Sequence, residues 1–184
     1  MSGISALQLV CHRIVWSYVV LLVLIAPSSE WRGLWAAVRS TRVMGIYAVA
    51  AVAIGFNWLI FVWAVNDGQI VQVSLGYFIN PLLSVVLGVA FFRERLRRLQ
   101  WVSVGLAAAG VSYLTAALGA PPWIALSLAG SFGTYGLLKK VAPLSAVQGL
   151  ALETGILAAP AAAYLASAEL SGAGALFHSG LRRD

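Results

Sequence analysis

The stretch Ile70–Phe92 reads IVQVSLGYFINPLLSVVLGVAFF and contains no charged residue. A helix of roughly 20 apolar residues is long enough to cross the hydrocarbon core of a bilayer, which is about 30 Å thick. The apolar run stops at the charged segment RERLRR, residues 93–98. This stretch therefore predicts a membrane-spanning helix that ends in a basic loop.

The rest of the chain has the same character. Apolar residues make up 61% of it and charged residues 10%, and the mean hydropathy is +0.90. Soluble domains are usually about half apolar and roughly a quarter charged. We predict an all-α integral membrane protein with six transmembrane helices in a single membrane domain, residues 1–184, ending in a loose tail at 167–184. The spans are expected at residues 7–26, 43–65, 70–92, 99–118, 123–138 and 147–166.

The same composition argues against several other classes. Cys11 is the single cysteine, and His12 and His178 are far apart in sequence, so no disulfide framework, zinc site or haem site is indicated. The net charge of +6 resides mainly in short runs between the apolar stretches, which indicates topology and not nucleic-acid binding. No nucleotide-binding loop is present. We expect no cofactor and no nucleic-acid partner, with the lipid bilayer as the surroundings.

The loops predict an orientation. Basic residues follow the first, third and fifth spans, in loops 27–42, 93–98 and 139–146, and none follows the second or fourth. Basic loops are retained on the cytoplasmic side of a membrane. These three loops are therefore predicted to be cytoplasmic, and the N-terminus is predicted to face outward.

Polar and small residues form a stripe on the third span. They recur every four residues, at Gln72, Gly76, Asn80 and Ser84. Pro81 follows Asn80 and cannot donate a hydrogen bond to the carbonyl of Tyr77, so that carbonyl is freed. Transporters often bind substrate near the midplane at interrupted helices. The stripe could line a cavity, or the helix could be a kinked packing element in which Asn80 bonds a neighbour.

The second span carries Asn57 and Trp58 too deep for an interfacial aromatic belt. They could line a pocket for a planar or apolar solute. The alternative is ordinary helix packing with one interhelical hydrogen bond.

Two charged residues lie inside predicted spans. Arg13 is a few residues into the first span and Glu153 a few into the sixth, where burying a charge is costly. We expect the two at similar depth, facing the bundle interior, where they could pair. Arg13 could instead extend its side chain to the interface. Glu153 is short and titratable, and proton coupling through it is left open.

Several runs resemble one family of permeases. They are HRIVWS at 12–17, NWLIFVWAVN at 57–66, SLGYFINPL at 74–82, RLRRLQW at 95–101 and LET at 152–154. The chain is similar to the RarD-type permeases, in the EamA branch of the drug/metabolite transporter superfamily. Where that family usually has a glycine before the glutamate that ends the third span, this chain has Arg93.

The resemblance implies a ten-helix fold of two five-helix repeats in opposite orientations, located in the bacterial inner membrane. The six spans would match helices two to seven, with the chain truncated at both ends. The function implied is secondary transport of small solutes, and we expect no enzyme activity because no nucleophile–base pair stands out. The alternative is a non-transporting truncated remnant or a small membrane subunit; the oligomeric state stays open. The substrate-pathway candidates are Arg13, Asn57, Trp58, Gln72, Tyr77, Asn80, Pro81 and Glu153.

Overall fold

The computed structural model describes residues 5–27, 30–119 and 121–171, so most of the tail expected at 167–184 lies outside the described residues. These residues contain helices and connecting segments but no strand, and the all-α prediction is confirmed. The helices are α1 Ala6–Ile25, α2 Trp31–Arg39, α3 Thr41–Asn66, α4 Ile70–Phe92, α5 Arg98–Leu118, α6 Trp123–Val141 and α7 Ala146–Leu170.

Five of the described helices, α1, α3, α4, α5 and α7, are long and apolar enough to cross a membrane. This agrees with the predicted membrane class. The fifth predicted span, 123–138, coincides with α6, which is not among the five. Lys139 and Lys140 in its last turn, together with its glycines and serines, lower its mean hydropathy. The count of six spans stays a prediction.

The prediction of a loop over 27–42 is wrong for residues 31–39, which form the helix α2. The apolar residues Trp31, Leu34, Trp35 and Val38 recur at helical spacing, with arginines beside them. That pattern is typical of a short amphipathic helix. This helical spacing can be recognised in the sequence, but the arginines of the segment led to its assignment as a loop.

Local sequence sets the ends of the helices. Ser145 caps α7 by accepting from the backbone N–H of Gln148, whose side chain accepts in return from Ser145. Gly119 ends α5 with φ 67°, in the left-handed region that suits glycine. Arg93 ends α4 in the same region, with φ 53°. It is the one non-glycine residue with positive φ in the part of the chain that the structure describes.

The described residues form two compact units. The first comprises the residues up to Val52 and those from Ala142 onward. In it α1 packs against α7. The ring of Tyr18, in the C-terminal half of α1, lies beside Gly155 in the N-terminal half of α7, and Leu21 and Ile25 share a core cluster with Ala151 and Leu152. The two helices are therefore antiparallel.

The second unit comprises Ala53–Val141. Helix α4 packs against α6 and, less extensively, against α5. Gly76 contacts Ala125 near the start of the pair, and Glu94 follows the end of α4 and pairs with Lys140 near the end of α6. Helices α4 and α6 are therefore parallel. The core of this unit contains Ile60 and Ala64 of α3 together with Val73 of α4 and Ile124 and Leu128 of α6.

Candidate functional site

The seam between α4 and α6 in the second unit contains the polar stripe predicted on the third span. At Gly76 on this seam, a Cβ atom would lie 3.3 Å from Leu128 Cβ and 3.4 Å from the Ala125 backbone. Near the other end of the seam, Gly133 of α6 faces the side chains of Leu83 and Leu87. Small residues on both helices thus let the two backbones approach closely.

Two amide oxygens on the stripe are buried without a donor. Gln72 and Asn80 are half-buried, and no hydrogen-bond donor among the described residues reaches Gln72 Oε1 or Asn80 Oδ1. The other end of Gln72 is used, since its Nε2 donates to Gln69 Oε1 at 3.3 Å. An unsatisfied buried acceptor costs roughly 1–3 kcal/mol. Each of these two oxygens therefore lacks the stabilisation that a hydrogen-bond donor would supply.

Pro81 lies inside α4, which continues through it without a break. Its side chain is exposed, and its missing N–H leaves the Tyr77 carbonyl without its usual helical donor. The Tyr77 side chain is 61% exposed, and its ring meets Phe61 edge-on with centroids 6.2 Å apart. Tyr77 and Asn80 thus supply two acceptors less than one helical turn apart.

A cavity of about 180 Å³ lies farther along the same seam, lined in part by Ser84, Gly88, Gly133 and Lys140. Lys140 forms an ion pair with Glu94, and its ammonium lies 4.6 Å from the Phe92 ring centroid. At this end of the cavity the Lys140 ammonium is therefore partnered by the Glu94 carboxylate and by the Phe92 ring.

The two candidates on α3, Asn57 and Trp58, do not belong to the polar stripe of α4. Asn57 Nδ2 donates to the Leu128 carbonyl and to Ser131 Oγ, each at 2.9 Å. This is the interhelical bond of the packing alternative. Trp58 is half-buried. The sequence analysis did not single out Ser131, whose role as the acceptor is set by packing and has no sequence signal of its own.

Arg13 and Glu153 belong to the first unit. Glu153 is fully buried, at 0% exposure, whereas Arg13 is exposed. Both lie in the N-terminal halves of their helices, and because α1 and α7 are antiparallel their backbone positions are offset along the pair. The expectation of similar depth is therefore wrong, and the pairing of Arg13 with Glu153 stays a prediction.

Comparison with known proteins identifies the lineage. The sequence model of the family described as "EamA-like transporter family" matches residues 1–116. The chain belongs to the EamA-like transporter family.

Relatives of this EamA-family chain include a protein named as a transporter and two proteins named RarD. It is 46% identical over 165 residues to an "Uncharacterized transporter" of Vibrio cholerae serotype O1, an alignment that covers 90% of this chain and 55% of that protein. It is 44% identical over 161 residues to "Protein RarD" of Streptomyces exfoliatus, covering 88% and 51%. It is 43% identical over 162 residues to "Protein RarD" of Escherichia coli K12, covering 88% and 55%.

These relatives confirm the resemblance to RarD-type permeases. The chain spans about half the length of the curated relatives that it matches. No solved structure matches it.

Proposed function

We propose that this chain takes part in secondary transport of a small solute across the bacterial inner membrane, without enzyme activity. The family match, the transporter names of the relatives and the five membrane-capable helices support the proposal. The observation that carries it at the level of residues is the buried Asn80 Oδ1 without a donor. A solute hydroxyl or amide N–H would satisfy that oxygen.

The proposed path follows the α4–α6 seam. Asn80 and Gln72 accept hydrogen bonds, and the freed Tyr77 carbonyl beside Pro81 adds a third acceptor. Gln72 and Asn80 are eight residues apart, about 12 Å along a helix, so a small solute would contact them in succession. The proposed pathway residues of the second unit are Trp58, Gln72, Tyr77, Asn80 and Pro81, whereas Asn57 packs α3 against α6. Arg13 and Glu153 of the first unit stay separate candidates.

A relative's name supplies a probe. A protein of Pseudomonas aeruginosa that is 31% identical over 157 residues is named "Chloramphenicol-sensitive protein RarD". Chloramphenicol carries hydroxyl and amide donors. Uptake of radiolabelled chloramphenicol into proteoliposomes that contain the purified chain is expected to exceed uptake into protein-free vesicles. Equal uptake would contradict transport by this chain.

The role of Asn80 is tested in the same assay. Asn80→Ala is expected to lower the uptake rate roughly three- to tenfold, the equivalent of one hydrogen bond. Asn66→Ala removes the same side chain at the exposed end of α3 and should leave the rate unchanged. Size-exclusion profiles in detergent verify that both variants fold. An unchanged rate in Asn80→Ala would remove Asn80 from the path.

We place the loops that contain Arg93–Arg98 and Lys139–Lys140 on the cytoplasmic side. Parallel α4 and α6, and antiparallel α1 and α7, are the directions expected from this topology. In a Cys11→Ser background, an impermeant thiol reagent added to whole cells should label Asp67→Cys and not Arg95→Cys. The reverse labelling would invert the topology.

We propose Glu153 as the proton-coupling group, on the basis of its complete burial in a span. An imposed pH gradient is expected to stimulate uptake by the wild-type chain. Glu153→Gln keeps the shape of the side chain and should lose this stimulation while keeping downhill exchange. Stimulation that persists in Glu153→Gln would exclude the residue from coupling.

A further inference from the structure

A second cavity, of about 250 Å³, lies in the first unit and is not on the proposed path. Trp31, Trp35 and Val38 of α2 line one side of it, Leu22 of α1 and Gly155 of α7 another. Its lining is mostly apolar. Trp35 is 62% exposed and Trp31 38% exposed, so the cavity is bordered by aromatic side chains that are accessible from outside.

Two arginines lie beside this apolar face. Arg32 precedes Trp35 by three residues and Arg39 follows it by four, so both neighbour Trp35 on the helix surface. They are about 10 Å apart along the helix. Both are exposed, and no acidic side chain among the described residues pairs with them. Their positive charge is therefore available to an external anion.

Helix α2 is held in place by the start of α7. Gln148 Nε2 donates to the Glu30 carbonyl at 3.0 Å, and Ser145 Oγ donates to Glu30 Oε2 at 3.2 Å. Gly33 faces the same glutamine, and a Cβ atom at this position would clash with Gln148 Nε2. These contacts fix the cavity and the arginines relative to each other.

We propose that the cavity binds an acyl chain of an anionic phospholipid whose phosphate contacts Arg32 and Arg39. A short helix with tryptophans on one face and arginines beside them is suited to the membrane interface. Anionic headgroups are attracted to basic residues at that depth. The volume of about 250 Å³ is below the roughly 300–1,000 Å³ of drug-sized pockets, so the cavity would hold part of a single hydrocarbon chain.

Native mass spectrometry of the full chain in detergent tests this. The protein is incubated with equal amounts of phosphatidylglycerol and phosphatidylcholine that have identical acyl chains. The wild-type chain is expected to retain one phosphatidylglycerol in preference. Arg32→Gln combined with Arg39→Gln should lower the ratio of bound phosphatidylglycerol to phosphatidylcholine roughly thirtyfold.

The matched control is Arg95→Gln combined with Arg98→Gln, which removes the same charge from another exposed basic segment. It should leave the ratio unchanged. Val38→Phe fills the cavity without altering charge and should reduce the total amount of retained lipid. Equal retention of both lipids by the wild-type chain would overturn the proposal, as would an unchanged lipid ratio in the Arg32/Arg39 variant. It would also be overturned if the Arg95/Arg98 control lowered the lipid ratio as much, or if Val38→Phe retained as much total lipid as the wild type.

Discussion

Asn57 on α3 donates from its side-chain nitrogen to the Leu128 carbonyl oxygen on α6, 71 residues farther along the chain, at 2.9 Å. The same nitrogen reaches Ser131 Oγ at 2.9 Å. Ser131 Oγ in turn donates to the Ser127 carbonyl at 2.7 Å. The side-chain nitrogen of Asn57, a residue that the sequence allowed as part of a solute pocket, therefore joins α3 to α6.

Asn57→Ala is expected to lower the free energy of unfolding by about 0.6–1.7 kcal/mol, the range for one interhelical hydrogen bond in a membrane protein. The free energy is measured by titrating the detergent-solubilised chain with sodium dodecyl sulfate. Combining Asn57→Ala with Ser131→Ala should cost less than the sum of the two single changes, because the bond is shared. Strict additivity would show that the two side chains are not coupled.

Gly76→Leu is expected to destabilise the chain by about 1–3 kcal/mol, because the new side chain must enter the contact with Ala125 and Leu128. Gly105→Leu on α5 is the control, since nothing lies within 4 Å of its Cβ position and the residue is exposed. The same titration measures both. Equal effects of the two substitutions would contradict close packing at Gly76.

Arg93→Gly is expected to stabilise the chain by about 1 kcal/mol. Arg93 has φ 53°, and a left-handed conformation costs a residue with a Cβ atom roughly 1–2 kcal/mol, part of which is offset by the greater freedom of glycine in the unfolded chain. Arg95→Gly removes the same charge at a position without positive φ and should give no gain. A loss of stability in Arg93→Gly would show that the arginine side chain makes a compensating contact.

Gln148→Ala is expected to speed hydrogen exchange of the α2 backbone amides, residues 31–39, roughly three- to tenfold through loss of the bond to the Glu30 carbonyl. Gln100→Ala provides the control, because Gln100 fills the same capping position in α5. Each change removes the capping side chain from the first turn of its own helix, but only Gln148→Ala is expected to speed hydrogen exchange in α2. If α2 exchanges at the wild-type rate in Gln148→Ala, the bond to Glu30 does not hold that helix.

The sequence by itself determined the all-α membrane class, the positions of the long helices and their approximate ends. Hydropathy, turn glycines and capping residues act over a few neighbouring positions, so they can be read from the printed chain. The run at 70–92 matches α4 to the residue. The helix α2 was also encoded locally, by apolar residues spaced three and four apart.

Only the tertiary structure decided which polar residues have partners. Asn57 and Asn80 are the same residue type in similar apolar surroundings, yet the nitrogen of one bonds α6 and the oxygen of the other has no donor among the described residues. The reason is physical: burial and hydrogen bonding depend on which distant helix lies opposite a side chain, and local hydropathy carries no information about that neighbour.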